Sequence, residues 1–138
     1  MVRMSRDAFD AFYAQTAPAL RAYIARVAGN PAAADDILQE AYIRLLNAAP
    51  VEEIQRKSYL YRTATNLIID HCRAAARERN WLGALRWRQP DAVSPRTLAT
   101  DVERVFALLS VRERSLLWLA YVEGAAHDEI ARALRFRQ

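Results

Sequence analysis

The stretch Ser58-Tyr-Leu-Tyr-Arg-Thr-Ala-Thr-Asn-Leu-Ile-Ile-Asp-His-Cys-Arg-Ala-Ala-Ala-Arg-Glu-Arg-Asn80 decides how this chain is built. Successive residues of an α-helix stand about 100° apart. With Arg62 at zero, Asn66, Ile69, Arg73, Arg77 and Asn80 all fall within about 60° of it. Leu60, Ala64, Leu67, Ile68, His71 and Ala75 fall opposite. The stretch therefore reads as one helix with a core face and a basic, amide-bearing face. Six arginines between positions 58 and 88 (Arg62, Arg73, Arg77, Arg79, Arg86 and Arg88) stand against Asp70 and Glu78, a net of +4 that equals the charge of the whole chain. A guanidinium grips phosphate with two parallel bonds, and an asparagine amide can pair with a base edge. A solvated charged surface has the same pattern, and pattern alone does not choose between the two.

Upstream lie two more helical periods. From about Ser5 to Ala28, Phe9, Phe12, Tyr13, Thr16, Leu20, Ile24 and Val27 recur at steps of three and four. Gly29 supplies a left-handed stop, and Asn30-Pro31 supplies a cap and a first turn for the next helix. That second helix, Pro31 to Asn47, has an inner stripe of Ala34, Ile37, Leu38, Ala41, Tyr42 and Leu45. Asp35, Asp36, Gln39, Glu40 and Ile43 flank the stripe as a mixed acidic and apolar ridge. Five acids and one arginine between 31 and 53 give a net of −4. Acids in a first turn suit the helix dipole, but Glu40 and Ile43 lie beyond that turn, where a protein partner could grip them. Pro50 ends the helix, and about one turn around Val51 to Arg56 leads to the third helix.

Downstream, Trp81 to Thr97 holds Gly83, Pro90 and Pro95 and reads as a linker, although Trp81, Leu82, Leu85 and Trp87 predict that part of it docks. The periodicity restarts with Val102, Val105, Phe106 and Leu109. Ser110-Val-Arg-Glu113 is a capping box that opens a helix to Glu123, with Leu117, Ala120 and Tyr121 inside. Gly124 ends it, and a short helix from about His127 to Leu134 follows, with Ile130, Ala131 and Leu134 inside.

The expected fold is all-α: two small helical domains, 1–80 and 98–138, joined by the linker 81–97. Only three glycines and five prolines interrupt the 138 residues, and 53% are hydrophobic, enough for one ordinary core or two very small ones. Lys57 is the single lysine, so 19 of the 20 basic residues are arginine. A codon bias toward arginine gives the same composition, so composition alone carries no nucleic-acid argument. Cys72, the only cysteine, can form no internal disulfide. Its neighbour His71 points about 100° away, which argues against a nucleophile–base pair. One cysteine and two distant histidines give no zinc spacing. The N-terminus lacks a signal-peptide pattern and no apolar run approaches a membrane span. The chain is expected to be cytoplasmic, without catalytic residues, metal or cofactor.

Asp35-Asp-Ile-Leu-Gln-Glu-Ala-Tyr-Ile-Arg-Leu-Leu46 resembles sigma region two, the segment that grips the polymerase clamp. Ser58 to Arg73 resembles the adjoining promoter-melting, minus-ten-reading segment. Glu113 to Leu134 resembles the start of sigma region four, notably Tyr121-Val-Glu-Gly followed by Glu129-Ile-Ala. Their order and spacing resemble the extracytoplasmic-function (ECF) sigma factors, which carry only these two domains. The resemblance implies that Asp35, Asp36, Gln39, Glu40 and Arg44 contact core RNA polymerase. It implies that Arg62, Asn66, Asp70, Arg73 and Arg77 lie on or beside the minus-ten strand, and the basic run adds Arg79. Capture of an unstacked base there would help open the duplex, since unstacking costs only a few kcal/mol. The linker would thread through the polymerase. Promoter DNA and an anti-sigma factor are the other implied partners. The chain departs from the family pattern at its end: Asp128 to Leu134 resembles the first helix of a helix-turn-helix, Arg135 to Gln138 falls in the turn, and the recognition helix that would read the minus-thirty-five element is missing. His127 also stands where the family places a serine or threonine cap. A contrasting reading is a sigma-like module that sequesters an anti-sigma factor without binding DNA.

Overall fold

The computed structural model describes residues 5–48, 52–85 and 101–134, with the backbone only for 82–85. All its regular elements are helices. Helix α1 (Arg6–Ala28) starts where the Ser5 hydroxyl accepts the Ala8 amide at 3.1 Å and stops at Gly29, whose φ of 68° an L side chain would resist. Helix α2 (Pro31–Asn47) starts where the Asn30 side-chain Oδ1 accepts the Ala32 amide at 3.1 Å. Helix α3 (Glu53–Leu85) is a single run of 33 residues.

These three helices pack into one bundle. From α1 come Ala17, Leu20, Tyr23, Ile24 and Val27. Helix α2 buries all six stripe residues, and α3 buries Leu60, Tyr61, Ala64 and Ile68. Two hydroxyl pairs tie the bundle across helices. Thr65 Oγ1 donates to the Tyr61 carbonyl at 2.7 Å, which leaves Tyr23 Oη to donate to Thr65 Oγ1 at 2.7 Å. Thr16 Oγ1 meets Tyr42 Oη between α1 and α2. Phe9 and Phe12 stand edge-on to the Tyr42 ring, at 5.9 and 6.4 Å between centroids, and close the open end of the core.

The later helices are short: α4 (Asp101–Leu108), α5 (Val111–Leu117), a π-helical turn (Trp118–Val122) and α6 (His127–Ala133). The Ser110 capping box is fully formed, with bonds of 3.2 and 3.0 Å between Ser110 and Glu113. Leu119, Ile130, Ala133 and Leu134 join the hydrophobic cluster of the bundle, so α5 and α6 lean on α1 and α3.

Several expectations need correction. The third helix begins at Glu53, not Ser58: nothing between them breaks a helix, and Glu53 suits its first turn. It also continues beyond Asn80 to Leu85, so the expected boundary at 80/81 falls inside a helix. Gly83 costs a helix only about 1 kcal/mol and does not stop it as proline would. The rest of the predicted linker, including Trp87 and Pro90, lies outside the described residues, as do Pro50, Val51 and Arg135 to Gln138. The helix after Ser110 turns π-helical at Trp118, and its buried residues are Ser115 and Leu119; Leu117 and Tyr121 are exposed. In α6 the buried alanine is Ala133 and not Ala131. Helix α4 buries no residue, and its Val102 and Val105 stand open. Among the described residues no helix is long and apolar enough to cross a membrane.

Candidate functional site

Burying the stripe of α2 fixes what its other sides present. Asp35, Asp36 and Gln39 are exposed, Glu40 is half-buried, and Ile43 and Leu46 stand open beside them at 42% and 43%. The ridge is therefore acidic at its N-terminal end and apolar toward its C-terminal end. Two of its charges are already engaged. Arg21, on α1, reaches Asp35 with Nε at 2.8 Å and a terminal nitrogen at 3.4 Å. That bond, and then the charge of Arg21, hold the Asp35 carboxyl below the ordinary carboxylate range. Arg44 Nε lies 3.1 Å from Glu40 Oε1, one helical turn away. Asp36 and Gln39 have neither ion pair nor side-chain hydrogen bond among the described residues. Arg21 was not legible from the period of α2, because it reaches the ridge from another helix.

Helix α3 carries the second face. Asn66, Asp70, Arg73, Arg77 and Arg79 are exposed, whereas Arg62 and Ile69 are half-buried. Arg62 is held with its guanidinium carbon 5.6 Å from the centre of the Tyr59 ring, a cation–π contact that orients a side chain otherwise free to swing. Among the described residues none of Arg62, Arg73, Arg77 and Arg79 forms a salt bridge, so the four charges are available to an outside anion. The face can hold a phosphate backbone with its arginines and offers Asn66 between them as a neutral donor and acceptor. It shares its helix with Leu60, Ala64 and Ile68, so the bundle core sets its orientation. Behind it, His71 and Cys72 are half-buried. The Cys72 thiol points at the Ala28 carbonyl, at 3.8 Å, and burial pushes it above the ordinary thiol range. Among the described residues no cluster of His, Cys, Asp and Glu could hold a metal ion.

Residues 12–78, which contain the α2 ridge and all of the α3 face but Arg79, match the model of sigma-70 region 2. The chain is 31% identical over 117 residues to the ECF RNA polymerase sigma factor SigX of Bacillus subtilis (strain 168), covering 75% of this chain and 60% of that protein. Over most of its length the chain is thus similar to ECF RNA polymerase sigma factors. It is also 29% identical over 130 residues to the ECF RNA polymerase sigma factor SigL of Mycobacterium tuberculosis (strain H37Rv), covering 88% of this chain and 73% of that one. No solved structure matches it. The region 2 match takes in most of α1, all of α2 and α3 as far as residue 78. Helices α4 to α6 lie outside it, and so does the last part of α3.

Proposed function

We propose that this chain is a transcription initiation factor: the α2 ridge docks on core RNA polymerase and the basic face of α3 holds the minus-ten strand of promoter DNA. The observation that carries the reading is the pairing of an acidic–apolar ridge and an unneutralised arginine face on adjacent helices of one core. The ridge repels phosphate and suits a protein surface, while the arginine face suits phosphate. In this reading Asp35, Asp36, Gln39, Glu40 and Arg44 are the polymerase contacts, with Arg21 setting the position of Asp35. Arg62, Asn66, Asp70, Arg73, Arg77 and Arg79 line the DNA strand. Helices α5 and α6 correspond to the start of region four. The protein contributes no catalytic step, acts in the cytoplasm where polymerase and promoter meet, and is controlled by an anti-sigma protein.

The test is co-purification with core polymerase. Asp36→Arg combined with Glu40→Arg is expected to abolish it while leaving helicity intact, because neither side chain belongs to the core. Undiminished co-purification of the double variant would remove the ridge from the mechanism.

A further inference from the structure

The contact between α5–α6 and the bundle is chemically unlike the bundle core. Tyr61 Oη, on α3, donates to Glu123 Oε1 at 2.8 Å across it. Beside it the buried Ser115 hydroxyl comes close to Tyr23 Oη. The π turn explains how Glu123 arrives there. Normal helical spacing would carry Glu123 about 80° around from Ser115. The wider turn from Trp118 to Val122 takes up that drift and keeps Ser115, Leu119 and Glu123 on one side. Two buried side-chain atoms lack a hydrogen-bond partner among the described residues, Arg114 Nε and Glu123 Oε2, and both belong to this contact. The Trp118 indole is near Glu123 but outside hydrogen-bond geometry. A cleft of about 410 Å³ runs along the contact between Ile54, Lys57 and Tyr61 on one side and Glu129, Ile130 and Arg132 on the other.

Buried groups left unpaired are costly in a permanent core, and interfaces between units that separate are the more polar kind. We propose that the helices from Val111 to Leu134 are a reversible clasp on α3, docking as a unit through Leu119, Ile130 and Leu134 with Tyr61–Glu123 as the pin, and releasing without unfolding the three-helix bundle. The proposal is independent of what the chain binds. Docking leaves Asp36, Gln39, Asn66, Arg73 and Arg77 exposed, so both faces of the bundle stay presented while the clasp is closed.

The clasp has a pH sense. Burial pushes the Glu123 carboxyl above its ordinary range, against the opposing pull of the Tyr61 bond, of Lys57 and of Trp118. Lys57 and Tyr61 of α3, Glu129 and Arg132 of α6, and Tyr23 of α1 are the charged and titratable groups around it. A carboxyl whose pKa is raised on docking favours the docked state below its free value. That advantage is lost as pH rises through the docked value.

Amide hydrogen exchange on the intact chain tests this, compared as protection factors at about pH 7.5 and about pH 5. In the wild-type protein the amides of 111–134 are expected to exchange through a smaller opening than those of α1 and α2, and to gain protection at the lower pH. Glu123→Gln is expected to raise their protection severalfold at the higher pH and to abolish the gain on acidification. Leu119→Ala should lower protection in 111–134 alone. A single opening shared by all helices in all three proteins would overturn the proposal. So would absence of protection in 111–134 of the wild-type chain.

Discussion

Helices α1 to α3 bury Leu20, Tyr23, Ile24, Val27, Leu60 and Ile68 at no more than 0% exposure, and among the described residues no buried side-chain atom of theirs is left unpaired. The described stretch 101–134, made of the same residue types, buries four apolar side chains, and α4 contributes none. Both described unpaired buried atoms, Arg114 Nε and Glu123 Oε2, lie in it. The difference is one of length. Helices of 17 to 33 residues present a continuous stripe that closes on its neighbours. Helices of seven or eight residues span only about two turns, too short a stripe to close a core of their own. The first region holds itself together, and the second is held by the first.

Truncations on the two sides should separate them most widely. Leu20→Ala in the bundle is expected to cost about 3 kcal/mol of global stability, read from the denaturant midpoint. Ile130→Ala, although also buried, is expected to cost about 1 kcal/mol or less in the same transition, because its helix leaves before the bundle unfolds. Equal losses would erase the distinction. A smaller effect is expected within the bundle at Thr65→Val, which deprives Tyr23 Oη of its 2.7 Å partner: about 1–2 kcal/mol, measured in the same way. The smallest concerns the entry to the clasp. Ser110→Ala removes one half of the capping box, worth about 1 kcal/mol to α5. That loss should appear as faster amide exchange in 111–117, with the bundle midpoint unmoved.

The contrast also explains what could be read in advance. For α2 the stripe of Ala34, Ile37, Leu38, Ala41, Tyr42 and Leu45 was legible to the residue, because 17 residues between two strong punctuators leave one way to face a core. The caps Asn30, Gly29 and Ser110 were legible from local chemistry. Tyr61 and Thr65 were missed because they sit at the border of the α3 stripe and are covered only by the arrival of α1 and the clasp. The start at Glu53 was missed because a polar first turn carries no periodic signal. Ideal helical spacing points Leu117, Tyr121 and Ala131 inward, but a π turn and a lateral partner set the inner side there. On the functional faces the residues of α2 and α3 were legible as amphipathic counterparts of a core stripe. Arg21 and the Tyr59 rest beneath Arg62 were not, since they depend on contacts rather than on charge count.

The most direct test of the central claim, that the open arginine face of α3 holds a DNA strand, is the salt dependence of promoter-strand binding by the chain assembled with core polymerase. Wild-type protein should be compared with Arg73→Ala combined with Arg77→Ala. If both arginines contact phosphate, affinity falls in the variant and the slope of log K against log salt becomes shallower by about 1.4, from about 0.7 for each contact on single-stranded DNA. Equal affinity and equal slope in the two proteins would contradict the account.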